Sequence, residues 1–243
     1  MVVAVPSWNA RGVIDPNNPL SPTDANRSPY AVSLTAFVEA FATSVARATI
    51  LQGYLRYRAE LHTAGLVKGF QWLDGSFLEN IEVNEMRDPG DIDVVTFYEM
   101  PAAQSQASLR ANYPGLFPVN GVEHEALKKR LCVDAYYQQL DGNKPTLTAA
   151  ASRLVNWSAY WYSMWSHRRD LSWKGFMQVD LSGAEDAQAW TKLSAAIASM
   201  ASAPGAAPLA PATGAVALAG PTPTLAAPVA ATAVMSSAMK ATP

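Results

Sequence analysis

Cysteine is nearly absent from this chain: Cys132 is the single one among 243 residues. An intrachain disulfide is therefore excluded, and the usage fits a reducing, cytoplasmic setting. Its apolar neighbours make Cys132 a packing residue rather than a nucleophile. A basic surplus is also missing, since the net charge is −2 and only Lys128–Arg130 and His167–Arg169 cluster positive charge. A grip on long DNA needs a broad basic surface, so a processive polymerase is not expected, while a tRNA end or short oligonucleotide stays open. The stretch 201–243 holds no acidic and no aromatic residue, and Pro204, Pro208, Pro211, Pro221, Pro223 and Pro228 interrupt every apolar run. A membrane span is thereby excluded there, and a disordered or polyproline-like tail serving as a linker is expected. The start lacks a basic segment leading into an apolar one, so residues 1–32 are expected to form an extended arm rather than a secretory signal. His62 and His124 lack metal-ligand spacing and read as incidental.

What is present is a set of carboxylates in strand-like surroundings. In Asp91-Ile92-Asp93-Val94 the two acids share one face of a strand while Ile92 and Val94 point to the core. Residues two apart on a strand are about 6.6 Å apart, so the ionised pair repels unless a cation intervenes. Mg²⁺ is held by one or two carboxylates with phosphate oxygens and waters, and paired ions serve in-line phosphoryl displacement. Asp134 lies in another strand-like run, Leu131 to Tyr137, and would complete the set. Upstream, Lys68 to Leu73 reads as a strand, Asp74-Gly75-Ser76 as a tight turn, and Ser76 to Asn80 as the first turn of a helix. A helix N-terminus with a glycine and a hydroxyl suits a phosphate. Asp-Gly is also a hairpin signal, and Asp-x-Asp pairs also decorate solvated surfaces. The conjunction in order is what points to chemistry.

At Gly75, Ser76, Asp91, Asp93 and Asp134 the chain resembles the polymerase-β-like nucleotidyltransferase superfamily in its minimal bacterial form. The resemblance covers about Gly65 to Tyr137, with a longer gap between Ser76 and Asp91 than is usual, so the loop from Asn84 to Pro89 is expected to bulge. It implies an α+β fold with a mixed sheet packed by helices. It also implies two Mg²⁺ (or Mn²⁺) ions on Asp91, Asp93 and Asp134, and an NTP whose phosphates meet Gly75 and Ser76. The implied reaction moves a nucleoside monophosphate to a hydroxyl acceptor and releases pyrophosphate. The acceptor is not readable: a protein, an RNA end, another nucleotide or a small molecule all occur among minimal members, some in toxin–antitoxin or defence modules.

Around this core the pattern predicts one domain over 33–200. Leu34, Phe37, Val38, Phe41, Val45, Ile50, Leu51, Tyr54 and Leu55 recur at helical steps, predicting one long helix from Ser33 to about Thr63, bent near Gly53. Short helices are expected over Ala103–Asn112 and Glu123–Arg130, with a strand from Asp91 to Tyr98 and another from Leu131 to Gln138. A turn at Asp141–Pro145 and a helix from Leu147 to about Trp157 come next. Tyr160–Trp165 and Trp173–Leu181 read as paired strands, and Ser182 with Glu185 as a capping box for a last helix to about Met200.

Arg168 and Lys174 in the basic turn are placed as nucleotide-binding residues that meet the triphosphate tail, beside the plainer reading of a solvated turn. Lys128, Lys129 and Arg130 suit a helix C-terminus and need no further role. Trp157, Tyr160, Trp161, Trp165 and Trp173 read mostly as core, with room for one to stack on a base. Asp180 is the rival third ligand, better read as a strand end beside Ser182. Two other functions compete. One is a non-catalytic domain of the same fold that binds a nucleotide or partner protein; the other is a metal-dependent nuclease or phosphatase, which would not need the Gly-Ser turn.

Overall fold

The computed structural model describes residues 2–140 and 147–202. The expected turn at 141–145 and all but the first residues of the expected tail lie outside them. In chain order the elements are β1 (Tyr30–Ala31), α1 (Leu34–Phe41), α2 (Val45–Thr63), β2 (Gly69–Asp74) and α3 (Ile81–Asn84). Then come β3 (Ile92–Tyr98), α4 (Gln106–Asn112), α5 (Gly121–Leu131), β4 (Val133–Gln139), α6 (Leu147–Trp165), β5 (Met177–Asp180) and α7 (Asp186–Ala201). The fold is mixed: one five-stranded sheet of order β1-β5-β2-β3-β4 with helices packed on it, as an α+β reading expects. β2 runs antiparallel to β3 and β5, whereas β3–β4 and β1–β5 are parallel.

Strand alternation divides the sheet's side chains into two faces. Gln71 and Thr96 are paired in register and hydrogen-bond each other at 3.0 Å. On that face lies α2, whose Tyr54 hydroxyl donates to Gln71 at 2.8 Å and whose Arg58 donates to the same oxygen at 2.8 Å. The opposite face carries Trp72, Val95, Phe97 and Tyr136, and α6 covers part of it through Trp161, 4.8 Å from the Tyr136 ring, and Trp165 against Phe176. The N-terminal arm is bound to this body. Val13 and Ile14 are buried, Trp8 donates to the Leu78 carbonyl at 2.7 Å, and β1 extends the sheet.

Several expectations need correction. The long helix is two helices, and the break is at Ala42–Ser44 rather than Gly53: the Ser44 hydroxyl accepts from the Arg47 amide and starts α2 afresh. Gly53 continues inside α2 because α5 approaches there. A Cβ on Gly53 would stand 1.8 Å from the Leu131 carbonyl oxygen. The expected hairpin does not form. Residues 160–165 are the last turns of α6, and only a single bridge joins His167 to Trp173. Aromatic residues favour strands locally, but Trp161 and Trp165 are one helical turn apart and both face the core, which decides for helix. Trp157, Tyr160 and Trp173 are substantially exposed rather than core. Nor is there a capping box at Ser182. A 3-10 turn, Gly183–Glu185, intervenes before α7, and the Glu185 carboxylate accepts the Thr35 amide at 3.0 Å, capping α1 instead of its own helix.

Candidate functional site

Register builds the site. Asp74 pairs with Asp93 across β2–β3, and Asp93 with Asp134 across β3–β4. In-register residues on neighbouring strands point to the same face, so three carboxylates stand in a row on the α6 side of the sheet. Asp91, just before β3, joins them: oxygens of Asp91, Asp93 and Asp134 all lie within 4.8 Å of one another. Among the described residues this is the one acidic group with the geometry to hold a metal ion. The three residues singled out in the sequence are thus brought together.

Their electrostatics are unfavourable as they stand. Burial first, then the charges of Asp91 and Asp134, push the Asp93 carboxyl up to about 6. Among the described residues no donor hydrogen-bonds the Asp93 carboxylate. Asp91 and Asp134 are better served. The Lys128 ammonium lies 2.8 Å from Asp91 Oδ2 and 2.9 Å from Asp134 Oδ2, and His124 Nδ1 lies 2.8 Å from Asp134 Oδ1. Burial alone would lower the Lys128 ammonium, but hydrogen bonds to both acids and their charges together raise it well above its usual value.

Gly75 and Ser76 sit at the end of β2 beside this row. Gly75 has φ +90°, a region costly to residues with a Cβ, and a Cβ there would stand 2.5 Å from Asp93 Oδ2. Ser76 is half-buried. In place of the expected helix start the chain makes a 3-10 turn, Ser76–Leu78, and then the four-residue α3. So short a run carries little dipole, and the chain is held there by other means. Arg47, fully buried, donates to the Phe77 and Glu79 carbonyls at 2.6 Å each, pairs with Glu82, and lies over the Trp8 and Phe77 rings. After Asn84, which ends α3, the loop to Pro89 departs from regular structure, with Met86 at φ 52°.

Lys174 and Arg168 stand on the Asp74 side of the row. Lys174 is 3.0 Å from Asp74 Oδ1 and 3.1 Å from Glu79 Oε1; Arg168 is 2.9 Å from Glu79 Oε2 and 3.0 Å from Glu85 Oε1. Asp74 Oδ1 makes no well-directed hydrogen bond, so its tie to Lys174 is an ion pair by proximity. Burial raises the Asp74 carboxyl to about 7, with Lys174 opposing. Both cations are thus engaged with the buried Glu79, Lys174 with the buried Asp74 as well and Arg168 with the exposed Glu85. Asp180 is exposed, ends β5, and accepts the Ser182 amide at 2.7 Å.

Three participants escape a reading of the sequence. Asp74 registers there only as part of a turn. His124 registers as incidental and Lys128 as a helix-end cation, although their spacing of four on one helix, ahead of the strand bearing Asp134, puts both on one face. Tyr136 completes the wall, its ring 4.8 Å from His124.

Residues 6–180 match a family described as a family of unknown function (DUF6932), and the chain belongs to it. No curated protein and no solved structure matches the chain. No helix among the described residues is long and apolar enough to cross a membrane.

Proposed function

We propose that this protein is a metal-dependent nucleotidyltransferase, moving a nucleoside monophosphate from an NTP to a hydroxyl acceptor. The carrying observation is the convergence of Asp91, Asp93 and Asp134 within 4.8 Å beside a Gly75 turn pressed against Asp93. A divalent cation fits this donor set: hard oxygens, excess negative charge, and an Asp93 carboxylate with no protein donor. Mg²⁺ or Mn²⁺ bound to these acids would neutralise phosphate charge and assist in-line displacement at the α-phosphorus.

The chain's own residues supply position. Gly75 lets the turn pack against Asp93 where a side chain would collide with it, and Ser76 offers a hydroxyl next to it. Arg47 holds the segment after Ser76, so the turn is fixed against the strand ends rather than mobile. Lys174 and Arg168 lend positive charge from the Asp74 side while staying tied to Glu79. The parallel β3–β4 pair with its antiparallel β2 neighbour supports a nucleotidyltransferase-like sheet.

A second reading has its own observation. The two cations assigned to the triphosphate tail are both paired with carboxylates, which suits a domain that binds a nucleotide or a partner without turnover. Incubation with each α-³²P-labelled NTP, Mg²⁺ or Mn²⁺ and candidate acceptors separates the two. Label transferred to protein, RNA or a new nucleotide, and lost in Asp93→Ala, supports transfer. Transfer retained in Asp93→Ala rejects the assignment, and nucleotide binding without transfer favours the second reading.

A further inference from the structure

The three clustered acids are not equivalently free. Asp134 is engaged on both oxygens, by His124 at Oδ1 and by the Lys128 ammonium as an ion pair at Oδ2, and Asp91 is ion-paired with Lys128 at Oδ2. The Asp93 carboxylate and Asp91 Oδ1 have no protein donor among the described residues. The open acceptors therefore lie on the Asp91–Asp93 side, while the space between Asp91 and Asp134 already holds an ammonium.

That ammonium is built in rather than strayed in from solvent. Lys128 is on α5, whose last turn leads through Cys132, in a left-handed conformation at the helix end, directly into β4 and Asp134. His124, one turn earlier, holds the same carboxylate. The helix is itself fixed on α2 by the close approach at Gly53 and by the Arg130–Glu60 ion pair. Helix and strand together thus deliver a fixed positive charge to the point where a bridging cation would stand. Three carboxylates are balanced by one ammonium and one divalent ion. A second divalent ion within about 4 Å of the first, the usual separation in two-metal sites, would have to stand against the ammonium.

We infer that Lys128 takes the place of one of the two metals: the site holds a single divalent ion on Asp91 and Asp93, and Lys128 supplies the remaining positive charge between Asp91 and Asp134. The inference rests on the proposed metal site and revises the expectation of two ions.

The test is Mn²⁺ binding to the full chain, with stoichiometry from isothermal titration and ion–ion coupling from electron paramagnetic resonance. Wild type, Lys128→Met, Lys128→Gln, Lys128→Arg and Asp93→Ala are compared, each checked for fold by circular dichroism. Wild type and Lys128→Arg should bind one uncoupled Mn²⁺ per chain; Lys128→Met and Lys128→Gln should bind two, with a spin-coupled signal. A coupled pair in wild type, or in Lys128→Arg, overturns the role given to Lys128 and leaves the metal site standing. One ion in a folded Lys128→Met or Lys128→Gln overturns it equally. Wild type that binds none, or Asp93→Ala that binds as wild type does, removes the metal-site reading itself and the inference with it.

Discussion

Gly75 and Asp93 are so close that a single methyl group on Gly75 would stand 2.5 Å from Asp93 Oδ2. The contact ties the turn's backbone, at φ +90°, to the carboxylate at the centre of the acidic row. Gly75→Ala is expected to destabilise the protein by about 1–3 kcal/mol through backbone strain and to weaken Mn²⁺ binding by displacing Asp93. Urea denaturation and metal titration read the two effects; an unchanged midpoint would mean that the turn relaxes without cost.

Asp93 itself is expected to trade stability for function. Burial and the neighbouring acids push its folded-state carboxyl up to about 6, so at neutral pH it is still mostly ionised but carries that charge at a greater cost than in the unfolded chain. At about 1.4 kcal/mol per unit of displacement, removing that charge is worth up to about 3 kcal/mol, with the opposing charges of Lys128 and Lys174 already included. Asp93→Asn should therefore be more stable than wild type by about 1–3 kcal/mol in chelator, and should lose Mn²⁺ binding. A less stable Asp93→Asn would refute the crowding account.

Stability should also depend on pH in an unusual direction. Burial raises Asp74 to about 7, so the folded chain holds that proton more tightly than the unfolded one. The contribution is complete below the unfolded value near 3.8 and is lost as pH rises through about 7; Asp93 acts in the same sense up to about 6. In chelator the melting temperature is expected to fall from about pH 5 to about pH 8. Asp74→Asn should flatten that slope, leaving Lys174 paired with Glu79. A melting temperature that rises across this range would contradict it.

Loss of Arg47 should cost much of the stability around the segment after Ser76. Its guanidinium is wholly buried and serves Glu82 and the carbonyls of Phe77 and Glu79. Arg47→Met leaves those acceptors without a donor, and a loss of about 3–5 kcal/mol is expected in chemical denaturation. A loss below about 1 kcal/mol would mean that water reaches the 77–82 segment and replaces it.

The acids were legible because the signal is local. Alternation in Asp91-Ile92-Asp93-Val94, and in the strand bearing Asp134, assigns faces from within a few residues, and the observed faces agree. Strand β2, the turn after it and helix α5 were likewise close to expectation. Where local preference and packing disagreed, the reading failed. The aromatic run before Trp165 favours a strand by residue type, yet it forms helix because Trp161 meets Tyr136, a residue of β4.

By itself, the sequence determined which residue types alternate along each strand, since that depends on neighbours along the chain. Only the tertiary structure decided what faces those residues. Strand register lined Asp74 up with Asp93 and Asp134, and the docking of α5 on α2 carried Lys128 and His124 onto the acids. Burial then made charged partners of Arg47 and Lys174, which sequence composition counts as surface. Register and burial come from contacts between distant segments, and no local pattern encodes them.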